Sequence, residues 1–445
     1  MERHYFGTDG VRGVAGQGAM SADFVFKLGM AAAEVLKKRE HPRFIIGRDT
    51  RLSGMMLQHA VSAGLCARGA EVIDLGIIPT PGVSFLCKAL KADAGIVISA
   101  SHNPFEDNGI KFFDIKGEKL SDELELEIER LLAEVDRLAP ITAKAIGRSI
   151  RSSYAEGSEV YLDFLKSQGP DLSGFKIGLD CANGASYDLA PRLFRALGAQ
   201  VSVIHASPDG LNINVACGST HPEHLQDFVK VNELDLGICF DGDADRSLLV
   251  DKQGRMVTGD HILAMTALNR KETAVVSTIM ANMGVESYLK ARGVAFHRAK
   301  VGDRYVKEML IDKGLKVGGE QSGHVLFLDK APTGDGMLSA LEVLKAMMRF
   351  GGGLEPWVDQ ITLFPQILVN VTVPNQLKHQ LAKLDIIQDA VAKGEAKLGE
   401  GRINLRPSGT EPLLRVMVEG RNQSLIEEIA HEIAKVIEDI SLAQA

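Results

Sequence analysis

Residues 44–76 read FIIGRDTRLSGMMLQHAVSAGLCARGAEVIDLG, and the fold follows from how this stretch is parsed. An apolar, β-branched run gives way to a polar loop. Apolar residues at helical spacing follow, then Gly69, then a second apolar run. Strand, amphipathic helix and second strand form the βα unit from which parallel sheets are built. Gly69 falls where the chain leaves the helix, a place that favours a left-handed residue. The layout recurs at 175–206 (FKIGLDCANGASYDLAPRLFRALGAQVSVIHA) and at 273–302 (TAVVSTIMANMGVESYLKARGVAFHRAKVG), with Gly198 and Gly293 in the same role. The echoes ARGAEV, ALGAQV and ARGVAF point to an internal triplication.

Composition narrows the class. The chain has 445 residues, too many for one ordinary core. It is 45% hydrophobic and 24% charged, the profile of a soluble globular protein. Its 50 Lys plus Arg against 58 Asp plus Glu leave a net charge of -8, which argues against a nucleic-acid binder. Any bound anion must be held by a local basic cluster. Five cysteines, scattered without CxxC spacing, fit reduced thiols. No apolar leader-like core opens the sequence and no run reaches membrane-span length, so a cytoplasmic protein is expected.

Four domains are expected: 1–150, 151–253 and 254–365 as similar α/β mixed-sheet domains, and 366–445 as a smaller α+β domain. The boundaries rest on the Pro140–Gly157 stretch, on DKQG at 251–254 read as a turn between domains, and on Pro365. In the tail, ITLFPQILVNVTV reads as strands and INLRPSGTEPLLRVMVEG as a strand pair around a loop. SLIEEIAHEIAKVIEDI reads as an amphipathic helix with Leu425, Ile429, Ile433, Val436 and Ile440 on one face.

Four short segments could carry chemistry. ISASHNPFEDNGIKFF, 98–113, leaves a buried strand, so Ser101 sits where open α/β sheets bind ligands. Taken alone Ser101 reads as a serine capping a turn rather than as a nucleophile. No Gly-x-Ser-x-Gly frame surrounds it, and the adjacent His102 is badly placed to serve as its base. A second strand ends in DGDADR, where Asp241, Asp243 and Asp245 alternate. Such closely spaced carboxylates repel unless a cation neutralises them. An EF-hand needs Gly and Glu where this chain has Arg246 and Lys252, so Mg²⁺ with open positions is preferred over Ca²⁺; a solvated acidic turn is the alternative. GGEQSGH, 318–324, offers Glu320, Ser322 and His324 to sugar hydroxyls, or is a plain Gly-rich turn. RPSGTEPLLR, 406–415, is suited to a phosphate: Arg406, Ser408, Thr410, the Gly409 amide and Arg415 match its charge and acceptors. The alternative there is an ordinary hairpin loop. Arg12, Lys111 and Arg246 gain weight only if they converge on Ser101.

Together YFGTDGVRG, ISASHNPFEDNGIKFF, DGDADR, GEQSGH and RPSGTEP resemble the α-D-phosphohexomutase family, in the family's order and over Tyr5 to Arg415. GTDGVRG and Gln321 resemble its aminosugar branch; a hexose phosphate mutase is the rival within the family. The resemblance implies three α/β domains and a fourth around a central cleft, and Ser101 carried as a phosphoserine. It implies Mg²⁺ on Asp241, Asp243, Asp245 and a Ser101 phosphate oxygen. Glu320 and Ser322 would grip sugar hydroxyls, and the RPSGT loop would hold the non-reacting phosphate. Arg12, Lys111 and Arg246 would face the moving oxygens, with His324 and Lys111 rivals for acid/base work. The implied activator is glucosamine 1,6-bisphosphate or a kinase acting on Ser101. The implied partners are a phosphosugar and a second copy of the chain in a homodimer, with no nucleic acid or membrane. Outside the family, a Mg²⁺-dependent phosphatase and a sugar-phosphate-binding protein are the competing readings.

Overall fold

A computed structural model describes residues 3–7, 9–150, 154–408 and 412–444. Two compact units are present: Met1–Ala281 with Arg292–Gln360, and Asn282–Ala291 with Ile361–Ala445. The first unit carries three sheets that repeat one pattern. In the first sheet, parallel strands Glu71–Ile77, Arg43–Arg48 and Ala94–Ile98 lie in that order, and Asp107–Asp114 joins the last antiparallel. The second repeats it with Gln200–Ile204, Lys176–Asp180 and Leu236–Phe240, then antiparallel Ser247–Asp251. The third does so with Ala295–Ala299, Ala274–Thr278 and Val317–Gly319, then antiparallel Val325–Phe327. Strand order and strand sense thus agree across all three, as the triplication leads one to expect. Gly69, Gly198 and Gly293 take the left-handed backbone expected of them, with φ of 85°, 98° and 76°.

The first sheet is extended at one edge by the antiparallel strands Phe6–Gly7 and Gly10–Val14, and at the other by Arg148–Ile150. The turn DKQG closes a hairpin. It joins Ser247–Asp251 to Met256–Val257 inside the second sheet, where the Asp251 carboxylate accepts from the Gln253 and Arg255 amides. Each central strand is buried on both faces, which is why these runs read as continuous apolar stretches.

In the third repeat the helix Met283–Lys290 falls in the second unit. It is held there by Asn282, which exchanges side-chain bonds with the Phe364 backbone, and by the Met283 amide donating to Glu419. That unit has an antiparallel sheet in the order Gln366–Thr372, Leu413–Gly420, Gly401–Pro407. Helices Asp385–Leu398 and Gln423–Gln444 supply its core, the first in a stretch where the sequence reading placed no element. On the last helix the buried stripe is Ile426, Ile429, Ile433 and Ile437, while Leu425, Val436 and Ile440 flank it half-buried. The expected face was therefore rotated slightly off the true one.

One consequence of the repeats matters most. Ser101, the Asp cluster and the GEQSGH turn each occupy the loop between the third parallel strand and the antiparallel strand that follows it. These are equivalent places in three copies of one motif, all at strand C-terminal ends.

Candidate active site

The serine loop leaves Ala94–Ile98 and turns at Ser101, a non-glycine residue with φ 53°. Such a backbone costs about 1–3 kcal/mol and persists only where the surroundings hold it. Here the Ser101 amide donates to Ser99 Oγ (2.9 Å), and its carbonyl accepts from Arg51 (2.8 Å) and Asn214 (2.9 Å). Ser101 is buried at 2% exposure and its Oγ donates to Asp241 Oδ2 at 2.7 Å. His102, expected out of reach, has Nδ1 3.4 Å from that Oγ, because the left-handed turn folds the two neighbours together. Burial, then the charges of Arg246 and Arg12, press the His102 pKa down to about 4, so its ring stays neutral.

Asp241, Asp243 and Asp245 converge in a tight turn, not an extended run: the Ala244 amide donates back to the Asp241 carbonyl and Ala244 has φ 57°. All three are buried, and each places an oxygen within 4.8 Å of the others. Asp243 Oδ2 accepts from Lys111 Nζ (2.8 Å) and Thr80 Oγ1 (2.7 Å). Oδ1 of Asp243 and Oδ1 of Asp245 are buried without a hydrogen-bond partner. Burial and the two neighbouring carboxylates hold Asp241 well above the usual range. Burial also opposes the charge on Asp245, but His324, Lys111 and Arg246 outweigh it and lower its pKa. Three converging carboxylates, with two oxygens lacking a hydrogen bond, could hold a hard cation.

The basic groups form a chain through this cluster. Lys111, 3% exposed, also lies 3.0 Å from Asp9 Oδ2, and Asp9 in turn pairs with Arg12 and with Lys119. Lys119 reaches Asp303 at 2.7 Å, and Asp303 lies 3.6 Å from His324 Nε2. His324 Nδ1 closes the run 3.5 Å from Asp245. Burial works against the His324 charge, yet Asp245, Asp303 and Glu320 together raise its pKa to about 9. Arg246 Nε stands 3.8 Å from Asp245. Thr80, Asp9, Lys119, Asp303 and Asn214 were not singled out in the sequence. Asp9 lies inside TDGVRG and could have been; the others carry no local signal.

The Glu320 carboxylate accepts from the Gly302 amide (3.1 Å), tying the GEQSGH turn to the start of helix Asp303–Lys313, while Ser322 is exposed at the turn's tip. In the second unit Arg406 and Arg415 face each other across paired strands. Burial, then Arg415, lowers the Arg406 pKa. Like charges directly opposite are unfavourable unless an anion sits between them. Arg415 Nη2 lies 3.4 Å from Ser408 Oγ, and Lys378 donates to the Ser408 carbonyl at 2.7 Å. Gly409 and Thr410 lie outside the described residues.

A second set of donors, Asp180, His205 and Cys217, is also close-packed. Its carboxylate is already satisfied by the Ala182 and Gly218 amides and by His205 Nδ1 at 2.9 Å. Burial and Asp180 push the Cys217 thiol up to about 12. The set ties strands and turn together and offers no thiolate. Among the described residues, no helix is long and apolar enough to cross a membrane.

Four family descriptions match in order. Phosphoglucomutase/phosphomannomutase alpha/beta/alpha domains I, II and III match residues 3–139, 159–254 and 258–364, and the C-terminal domain of the same name matches 368–436. The chain is 55% identical to a phosphoglucosamine mutase of Deinococcus deserti over 98% of each chain. It is 54% identical to that of Deinococcus radiodurans over the whole of both. A solved phosphoglucomutase/phosphomannomutase family protein from Burkholderia thailandensis superposes with a TM-score of 0.81 at 24% identity, covering 98% of this chain and 97% of that one. Aspergillus fumigatus N-acetylphosphoglucosamine mutase, solved with GlcNAc-6P and magnesium, gives 0.68 at 18% identity over 99% and 96%. These two likenesses concern the fold.

Proposed function

The chain belongs to the phosphoglucomutase/phosphomannomutase family and is an isomerase, and we propose that it interconverts glucosamine 6-phosphate and glucosamine 1-phosphate through a phosphoserine at Ser101. The observation that carries the reading is the 2.7 Å contact between Ser101 Oγ and Asp241, inside a buried cluster of three carboxylates. The full-length likeness to two phosphoglucosamine mutases supports the aminosugar over the hexose.

Asp241, Asp243 and Asp245 would hold Mg²⁺, since their all-oxygen donors and two unpartnered Oδ1 atoms suit a hard ion. When bound, the ion neutralises the carboxylates and draws charge from a phosphoryl oxygen on Ser101. The rest is done by the chain. Phosphoryl transfer asks for alignment and charge stabilisation more than for a strong base. The Ser101 Oγ–P bond breaks as O1 of glucosamine 6-phosphate bonds to phosphorus, giving the 1,6-bisphosphate, and the proton lost from O1 is made up on the freed Oγ. That intermediate re-presents its 6-phosphate to Ser101, whose Oγ takes the group, and glucosamine 1-phosphate leaves. Lys111 and Arg246 place positive charge beside Asp243 and Asp245 and stabilise the moving oxygens; Arg12, paired with the Asp9 that also holds Lys111, offers further counter-charge. Glu320 and Ser322 are the sugar-hydroxyl contacts. Arg406, Ser408, Gly409, Thr410 and Arg415 are the grip on the phosphate that is not reacting.

His324 and Lys111 are the candidates for exchanging a proton with the reacting sugar hydroxyl. Both are held cationic, His324 by Asp245, Asp303 and Glu320 and Lys111 by Asp243 and Asp9. Each therefore fits the proton-donating half of the cycle.

The test is turnover of glucosamine 6-phosphate against glucose 1-phosphate and mannose 1-phosphate, with intact mass measured after glucosamine 1,6-bisphosphate treatment. A preference for the aminosugar and one phosphoryl group mapped to Ser101 are expected. Net phosphate release without isomerisation, or a hexose preference, overturns the assignment.

A further inference from the structure

Arg51 makes no side-chain contact with Asp241, Asp243, Asp245 or the Ser101 hydroxyl, yet its side chain is wholly enclosed. A guanidinium has five N–H donors, and here each one has an acceptor. Nε donates to Asp49 Oδ2 (2.9 Å), and Nη2 to the carbonyls of Ser101 and Asn103, both at 2.8 Å. Nη1 donates to the carbonyls of Pro104 and Asp107 (3.2 Å to the latter). Four of the five acceptors are thus backbone carbonyls of the serine loop. Asp49 completes the frame from below: its Oδ2 accepts from Ser99 Oγ (2.6 Å), which accepts the Ser101 amide (2.9 Å). Asn214 of the second repeat donates to the same Ser101 and Asn103 carbonyls, at 2.9 and 3.1 Å.

We propose that Arg51 is a positioning residue for phosphoryl transfer: with Asp49, Ser99 and Asn214 it fixes the left-handed Ser101 backbone so that Oγ points at the Asp cluster. The inference rests on Ser101 being the phosphoryl carrier. The Asp49–Arg51 frame takes hold of the Ser101 peptide groups on both sides, its amide through Ser99 and its carbonyl directly. Rotation about Ser101 cannot then occur without breaking that frame. In-line transfer loses rate steeply when the reacting atoms are misplaced by about 1 Å, so this rigidity bears on kcat. Lysine cannot replace the arginine, because three donors on one nitrogen leave at least two of the five acceptors unmet and do not lie in a plane.

The full-length Mg²⁺-loaded enzyme is compared with R51K and N214A. Melting temperature, kcat and KM for glucosamine 6-phosphate, and the ³¹P resonance of the phosphorylated serine are recorded. R51K is expected to lose about 100-fold in kcat with KM within about threefold, and to move the ³¹P line. N214A should lose about tenfold in the same sense. A folded R51K with wild-type kcat, or a loss confined to KM, overturns the proposal. If R51K fails to fold, an N214A enzyme with wild-type kcat and an unmoved ³¹P line overturns it. A wild-type enzyme inactive on both glucosamine phosphates overturns the substrate reading instead. The R51K effect is then read on whichever hexose phosphate the wild type accepts.

Discussion

Ser101 shows how little a residue's role owes to its neighbours in sequence. Its backbone is left-handed, its hydroxyl is buried, and its bonding partner Asp241 lies 140 residues away. Ser101→Ala removes one hydroxyl and leaves the Arg51 and Asn214 contacts to the backbone in place. Mutase turnover should fall by about 10⁴-fold or more while the melting temperature stays within a few degrees. Full turnover in the presence of the bisphosphate would remove Ser101 from the mechanism. Gly334 makes a complementary case. A Cβ built there would stand 2.4 Å from His324 Nε2 and 2.7 Å from two ring carbons. Gly334→Ala should therefore displace the imidazole, costing about 1–3 kcal/mol of stability and lowering kcat more than it raises KM. Unchanged kinetics would show that the ring position is not critical. The candidate site was legible at Ser101, the three aspartates and His324, because each sits in a compact motif at a strand end. Thr80, Lys119, Asp303 and Asn214 were not, since each acts only through partners far away in sequence.

At the scale of elements, the repeating unit explains why the loops fall where they do. Each copy ends its third parallel strand in a hairpin loop, and each such loop carries polar residues that the sheet itself has no use for. The tie between two strands of the second copy can be tested by pH. His205 at the end of Gln200–Ile204 bonds Asp180 at the end of Lys176–Asp180, and that bond raises its pKa. A raised imidazole binds its proton more tightly folded than unfolded. The resulting stability is present in full below about pH 6.5, the unfolded value, and is lost as pH rises through the folded value. The gap in melting temperature between wild type and His205→Asn should be larger at about pH 5.5 than at about pH 9. A gap independent of pH would mean that packing alone accounts for it. The strands and the three βα units were readable from apolar runs and Gly69, Gly198 and Gly293. The helix Asp385–Leu398 carries a weak signal, because only Ile387 and Gly394 along it are buried and no wide apolar stripe marks it. The DKQG turn closes a hairpin of the second sheet, a detail its composition does not reveal because hairpin turns and linkers use the same residues.

For the whole molecule, the buried aspartates imply a link between cation binding and stability. Asp243 Oδ1 and Asp245 Oδ1 are buried without a hydrogen-bond partner, so a divalent ion held there would bind the folded form far better than an unfolded chain. Removal with EDTA should stop turnover and lower the melting temperature, and Mg²⁺ should restore both. At about 100 times its dissociation constant the ion adds about 2.7 kcal/mol. EDTA-insensitive turnover would take the metal role from these aspartates. The amino-acid sequence alone determined the triplicated α/β architecture, the family and the loops worth attention, because periodicity, helix-ending glycines and short motifs are local quantities. Only the tertiary structure decided which groups meet. Lys111 finds Asp243, Asp303 finds Lys119, and Arg51 finds four carbonyls of one loop through contacts spanning about 50 to 180 residues. Spacing along a chain does not encode separations that arise only when three sheets pack. The serine loop is also held largely by backbone carbonyls, which every sequence possesses and none advertises.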